Sequence, residues 1–202
     1  MLTLKEIHDK IYNDPSHQNY RVFISLYEEN KLLIESTEIT IDKEAAHIVI
    51  QLMSDYALAL SNSGSYKNAI EYFNKVIPLF EVDSKFYNQD PFKIPLYESL
   101  IWGRARTFHY LKEYNNAAMD LKKLIANFPD NDMYRYWLRS TTAHKINKIG
   151  IICWILTMLG IMCSYIPSKG SSTIIVILCF TITFFGTAIT IEIIKYILQS
   201  KK

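Results

Sequence analysis

Few residues in this chain have the types and spacings that chemistry needs. Two Arg-x4-His pairs occur, Arg104…His109 and Arg139…His144. An arginine to hold an anion and a histidine to move a proton would suit cleavage of a phosphodiester. On an ideal helix, however, positions i and i+5 lie about 140° apart, so neither pair shares a face of its own helix. Arg139 and His144 also read more simply as cations ahead of an apolar run. Elsewhere no His/Cys/carboxylate cluster has metal-ligand spacing. None of the six glycines opens a phosphate-binding loop, and no nucleophile elbow occurs. His8, His17 and His47 are isolated and read as structural or solvated. These residues indicate no metal, no cofactor and no enzyme.

The elements that must carry these residues are helices. Apolar positions recur with a 3.6-residue period almost throughout residues 1–148, and no alternating strand pattern appears. The pattern predicts helices over 3–12, 17–35, 42–62, 66–80, 93–111, 114–127 and 131–148. Breaks are expected at Asn13-Asp14-Pro15, at Thr40-Ile41-Asp42 with Asp42 as N-cap, at Ser63-Gly64-Ser65 and at Phe128-Pro129-Asp130. Residues 81–92 are the least helical stretch and read as a linker or ordered loop. From Ile149 onward only Lys169, Glu192, Lys195, Lys201 and Lys202 are charged, so the front part is nearly neutral. No basic patch dominates it, and nucleic acid is not an expected partner. Cys153, Cys163 and Cys179 all lie in the apolar tail, which leaves the front part without a disulfide framework.

Ile149 to Ile166 and Thr173 to Ile191 are two charge-free runs separated by the turn residues Pro167 to Ser172. They predict a transmembrane hairpin, with spans over 149–166 and 173–198 in contact with the lipid bilayer. Arg135, Arg139, Lys145 and Lys148 precede it, and Lys195, Lys201 and Lys202 follow. The positive-inside rule then places both termini in the cytoplasm, with a bacterial inner membrane as the expected location. The amphipathic, charged N-terminus is unlike a secretory signal and agrees with that topology. Gly160 with Ser164, and Gly186 with Thr190, are small-xxx-small pairs suited to helix packing. Thr183, Thr187 and Thr190 form a mildly polar stripe, which reads as packing within the hairpin or as the lining of a pore.

Two helix pairs in the front part resemble the tetratricopeptide repeat. In SDYALALSNSGSYKNAIEYFNKVI, residues Ala57, Gly64, Tyr66, Ala69 and Phe73 stand at the repeat's spacing. In WGRARTFHYLKEYNNAAMDLKKLIANFPDN, the corresponding residues are Ala105, Tyr114, Ala117 and Leu121, with Pro129 at the usual stop. The resemblance covers residues 50–130, between N-terminal helices (1–49) and a capping helix (131–148). Ala69 and Ala117 are 48 residues apart rather than about 34, and Arg104 falls where a buried apolar residue is usual. The resemblance implies a partner groove on the first helices of the pairs. It would be lined by Asp55, Leu58 and Asn62 from one pair and by Trp102, Arg106, His109 and Tyr110 from the next. Separately, the Arg-x4-His spacing resembles the motif of HEPN ribonucleases. Such divergent pairs have also been attributed to small membrane accessory proteins of type VI RNA-guided antiviral systems.

The expectation is therefore an all-α chain of tetratricopeptide-like antiparallel helix pairs followed by a transmembrane hairpin. Its leading function is a membrane-anchored adaptor that faces the cytoplasm and docks a protein partner, either a peptide or a helix. The alternative is a homo-oligomeric membrane pore gated by the helical domain, in an antiviral-defence setting. A membrane-tethered HEPN-like ribonuclease, with Arg104, His109, Arg139 and His144 as its candidates, is the third reading.

Overall fold

The computed structural model describes residues 3–13, 15–37, 43–86, 90–164 and 171–200. The described residues form eight α-helices and two 3-10 turns, with no strand, so the fold is all-α. The expected break at Thr40-Ile41-Asp42, Asp14, the side chain of His17 and positions 167–170 of the expected turn lie outside the described residues. The chain divides into two compact units, Met1–Asn131 and Asp132–Lys202.

The first unit is built from six helices: α1 (Leu4–Asn13), α2 (Tyr20–Ser36), α3 (Lys43–Asn62), α4 (Tyr66–Phe86), α5 (Pro95–Tyr110) and α6 (Tyr114–Asn127). α3 packs on α4 and α5 on α6, each pair joined by a three-residue turn and hence antiparallel; α4 and α3 both pack on α5. The two turns share one hydrogen-bond pattern. After α3, Ser65 N–H donates to the Leu60 carbonyl (2.9 Å) and Gly64 N–H to that of Ser61 (3.2 Å). After α5, Glu113 N–H donates to Phe108 (2.9 Å) and Lys112 N–H to His109 (3.0 Å). This is the Schellman arrangement, which needs a left-handed residue just past the helix. Gly64 supplies it at φ 86°, where glycine is unstrained, and Lys112 supplies it at φ 63° against the preference of an L side chain.

Close approach within the pairs follows from small residues. Ala57, Ala69, Ala105 and Ala117 are all fully or almost fully buried, with Phe73, Leu121 and Leu124 filling the space between helices. The residues between the two pairs are not a linker for most of their length, because α4 continues to Phe86. Tertiary contacts on its last turns favour that extension. Tyr97 donates to Glu81 Oε1 at 2.6 Å, and its ring lies 5.3 Å from Phe80 and 5.0 Å from Phe92. Asp90 then caps a short 3-10 turn, Pro91–Lys93, by accepting from Phe92 N–H at 3.0 Å. α1 and α2 lie against α3, burying Ile7, Ile11, Phe23, Tyr27 and Ile34. The Tyr27 ring stacks on Tyr56 of α3 at 3.9 Å.

The second unit is two long helices packed on each other, α7 (Asp132–Ser164) and α8 (Ser171–Ser200). The capping helix expected over 131–148 and the first apolar run are one continuous helix. Their seam is narrow: Thr157 and Ala188 are buried. A Cβ on Gly150 would lie 2.9 Å from Ile191 Cγ2, and Trp154 meets Phe185 edge-on at 5.6 Å. Gly186 is not part of the seam, since a Cβ there would meet nothing within 4 Å. Thr183, Thr187 and Thr190 are exposed, and each donates to a carbonyl of its own helix (2.8, 2.8 and 2.9 Å). The surroundings of Gly160 and Ser164 lie outside the description.

The transmembrane expectation requires correction. Among the described residues, no helix is long and apolar enough to cross a membrane. In α7 the first half carries Arg135, Arg139, Lys145 and Lys148, and the charge-free part ends with the helix at Ser164, short of the about 20 residues a span needs. The integral-membrane location, with both termini cytoplasmic in a bacterial inner membrane, is overturned by this finding. The transmembrane hairpin loses its support, and the pore reading loses the spans on which it was built.

Candidate functional site

The expected groove residues of the first unit lie on α3 and α5, two helices that pack on each other. On α3, Asp55, Leu58 and Asn62 follow at i, i+3 and i+7; on α5, Trp102, Arg106 and His109 follow at i, i+4 and i+7, which in each case is a single helix face. The two helices come close because Gly103 has no side chain. A Cβ there would lie 2.7 Å from Leu58 Cδ2 and 2.8 Å from Phe73 Cζ. One turn further, the buried hydroxyls of Ser61 and Thr107 are 2.8 Å apart. Thr107 spends its hydrogen on the Gly103 carbonyl (2.7 Å), so Ser61 is the donor of that pair. This polar clamp holds α3 and α5 in register.

Along the face, Asp55, Leu58, Trp102, Arg106 and His109 are half-buried, while Asn62 and Tyr110 are exposed. The Arg106 guanidinium lies 5.8 Å from the centre of the Trp102 ring, a cation–π contact within α5. Tyr110 stacks on Tyr66 at 4.8 Å, tying the end of α5 to the start of α4. The His109 ring faces Tyr114 of α6 at 5.6 Å, so it turns toward its own pair's second helix.

The N-terminal helices close one side of this face. An open depression of about 310 Å³ is lined by Tyr12, Gln18, Tyr20 and Phe23 from the N-terminal elements and by Asp55, Leu58, Ala59 and Asn62 from α3. The Tyr12 hydroxyl donates to Asp55 Oδ2. Burial, and then the charge of Asp55, pushes the Tyr12 hydroxyl above the ordinary tyrosine range, so it stays a neutral donor. The sequence carries no signal for this wall, because Tyr12 and Asp55 meet across 43 residues.

Three further aromatic–carboxylate contacts hold the helices together. Tyr56 donates to Glu28, Tyr72 to Glu35 and Tyr97 to Glu81. In each, burial first and the carboxylate second raise the phenol above its ordinary value. The buried Tyr27 hydroxyl beside them has no hydrogen-bond partner among the described residues.

The Arg-x4-His residues are distributed differently from the groove residues. Arg104 makes a two-pronged ion pair with Asp120 of α6, Nε to Oδ2 at 2.7 Å and Nη2 to Oδ1 at 2.8 Å. Asp120 is 3 % exposed, so the charge at the repeat's apolar position is matched by a buried carboxylate. Arg104 and His109 therefore engage different partners. Arg139 and His144 are exposed on α7, in the second unit. Among the described residues, no group of three His, Cys, Asp or Glu side chains could hold a metal ion. No family model, no curated protein and no solved structure matches this chain.

Proposed function

We propose that the first unit is a protein-binding module of tetratricopeptide-like helix pairs. In this reading an extended peptide or a helix of the partner lies along the face of α3 and α5. What supports it is the close approach of α3 and α5 at Gly103 and the Ser61–Thr107 pair, since α3 carries Asp55, Leu58 and Asn62 and α5 carries Trp102 and Arg106. Tryptophan, tyrosine and arginine are the residue types enriched among the anchors of protein interfaces. Arg106, held over Trp102, is placed to receive a carboxylate of the bound segment.

The test is selection of peptides from a random library on the full chain, followed by affinity measurement on variants. Trp102→Ala is expected to weaken selected peptides by about tenfold or more, as removal of a central aromatic anchor does. Arg106→Ala should weaken those with an acidic residue, with the melting temperature of the first unit unchanged. Selected peptides that bind both variants as they bind the native chain would refute the reading.

A further inference from the structure

We propose that the α7–α8 hairpin is a self-association site, in which the outer side of α8 packs on the same side of α8 in a second copy of this chain. The inference concerns the second unit and is independent of the reading of α3 and α5.

The exposed area is larger than a lone hairpin accounts for. Among the described residues, eighteen large apolar side chains between Ile149 and Ile197 are exposed. Spread round the hairpin they offer on the order of 1,500 Å², whereas the largest apolar patch of an ordinary monomer is about 300–600 Å². One side of the hairpin therefore carries about the 800 Å² that each partner contributes to a stable complex.

Charge selects the side. Arg139, Lys145 and Lys148 are exposed along the first half of α7. A contact along that helix would bring like charges together or set them against apolar side chains. α8 has no charged residue from Ser171 to Ile191. Its inner side is fixed by α7, where Ala188 is buried and Ile191 lies against Gly150. At about 100° per residue, Ile182, Ile189 and Ile193 project from the opposite side of the helix. They are 65 %, 42 % and 54 % exposed. Their i, i+7, i+11 spacing is that of a helix–helix seam. The hydroxyls of Thr183, Thr187 and Thr190 already donate to carbonyls of α8, so covering this side strands none of their protons.

The same chemistry selects the occupant. A face without charge leaves the polar groups of an ordinary protein surface desolvated and unmatched, so its complement is another uncharged face. An isologous pairing supplies one from the chain itself. Lipid is the competing occupant. Among the described residues, however, no helix is long and apolar enough to cross a membrane. The stretch from Ser171 to Ile191 also lacks the charged face with which an interfacial helix lies along a bilayer.

The experiment is sedimentation equilibrium of the full chain in aqueous buffer without detergent, with flotation on phosphatidylcholine vesicles alongside. The expected result is a species of twice the mass of one chain that stays in the aqueous phase when vesicles float. Ile189→Glu should raise the dissociation constant of that dimer about a hundredfold or more, by burying an unpaired charge, with helical circular dichroism unchanged. If that variant does not fold, Ile193→Glu should give the same loss. Leu159→Glu, on the outer side of α7, should leave the dimer intact. A native chain that is monomeric without detergent would overturn the proposal. So would a chain that floats with the vesicles as a monomer, since lipid would then be the occupant. A dimer indifferent to both isoleucine variants, or one dissociated by Leu159→Glu, would overturn the assignment to α8.

Discussion

The two units of this chain dispose of apolar and polar groups in opposite ways. In the first, large side chains such as Phe73, Leu52 and Tyr27 are fully buried. Two polar pairs in its interior are matched, Arg104 with Asp120 and Ser61 with Thr107, while the buried Tyr27 hydroxyl has no hydrogen-bond partner among the described residues. In the second, two helices meet along Gly150, Thr157 and Ala188, and much of the apolar surface faces outward, including Ile155 (54 % exposed), Met162 (67 %) and Phe180 (62 %). Apolar surface supplies cohesion without direction, whereas a matched ion pair or hydroxyl pair permits one arrangement only. The first unit is therefore held in one arrangement by directional contacts, whereas the second leaves large apolar side chains exposed.

The comparison can be broken most severely at Asp120. Asp120→Ala should leave the half-buried Arg104 without its carboxylate partner and lower the stability of the first unit by about 3 kcal/mol. A urea titration followed by helical circular dichroism would show an early first transition. An unchanged midpoint would mean that the pair is incidental to the α5–α6 contact.

Glycine substitutions sharpen the contrast. Gly103→Ala drives a methyl into Leu58 and Phe73 and is expected to cost about 1–3 kcal/mol. Gly186→Ala on α8 meets nothing and should be neutral, or stabilising by up to about 1 kcal/mol through helix propensity. Similar losses at both positions would contradict the difference in packing. The smallest effect is expected at the second Schellman turn. Lys112→Gly relieves the left-handed conformation and should raise stability by about 1 kcal/mol in the same titration.

Much of the first unit was legible in the sequence because local signals agreed with one another. The helices at 42–62, 66–80 and 114–127 were readable from their apolar period and from Ser63-Gly64-Ser65, and α3 and α6 end where those signals place them. The extension of α4 to Phe86 was not, since it depends on contacts to Tyr97 across the inter-pair segment. Arg104 looked like a violation because its partner Asp120 lies on the next helix. The groove residues were placed by helical spacing alone, but the covering of Asp55 by Tyr12 needed tertiary structure. In the second unit, a helix apolar on all sides has no polar face to mark its seam. Small residues at i and i+4 therefore pointed to Gly186, while contact is made at Gly150 and Ala188. The apolar runs also suggested membrane spans that no helix among the described residues satisfies.

The chain has three tryptophans, and their positions permit the most direct test of the recognition site. Trp102 lies on the α3–α5 face, whereas Trp137 and Trp154 belong to α7. The measurement is the indole N–H resonances of the isotope-labelled full chain during titration with a peptide selected on it, each signal assigned by a tryptophan-to-phenylalanine variant. The account predicts a saturable shift of the Trp102 signal, with those of Trp137 and Trp154 unmoved. A shift confined to Trp137 or Trp154 would place recognition in the second unit and contradict it.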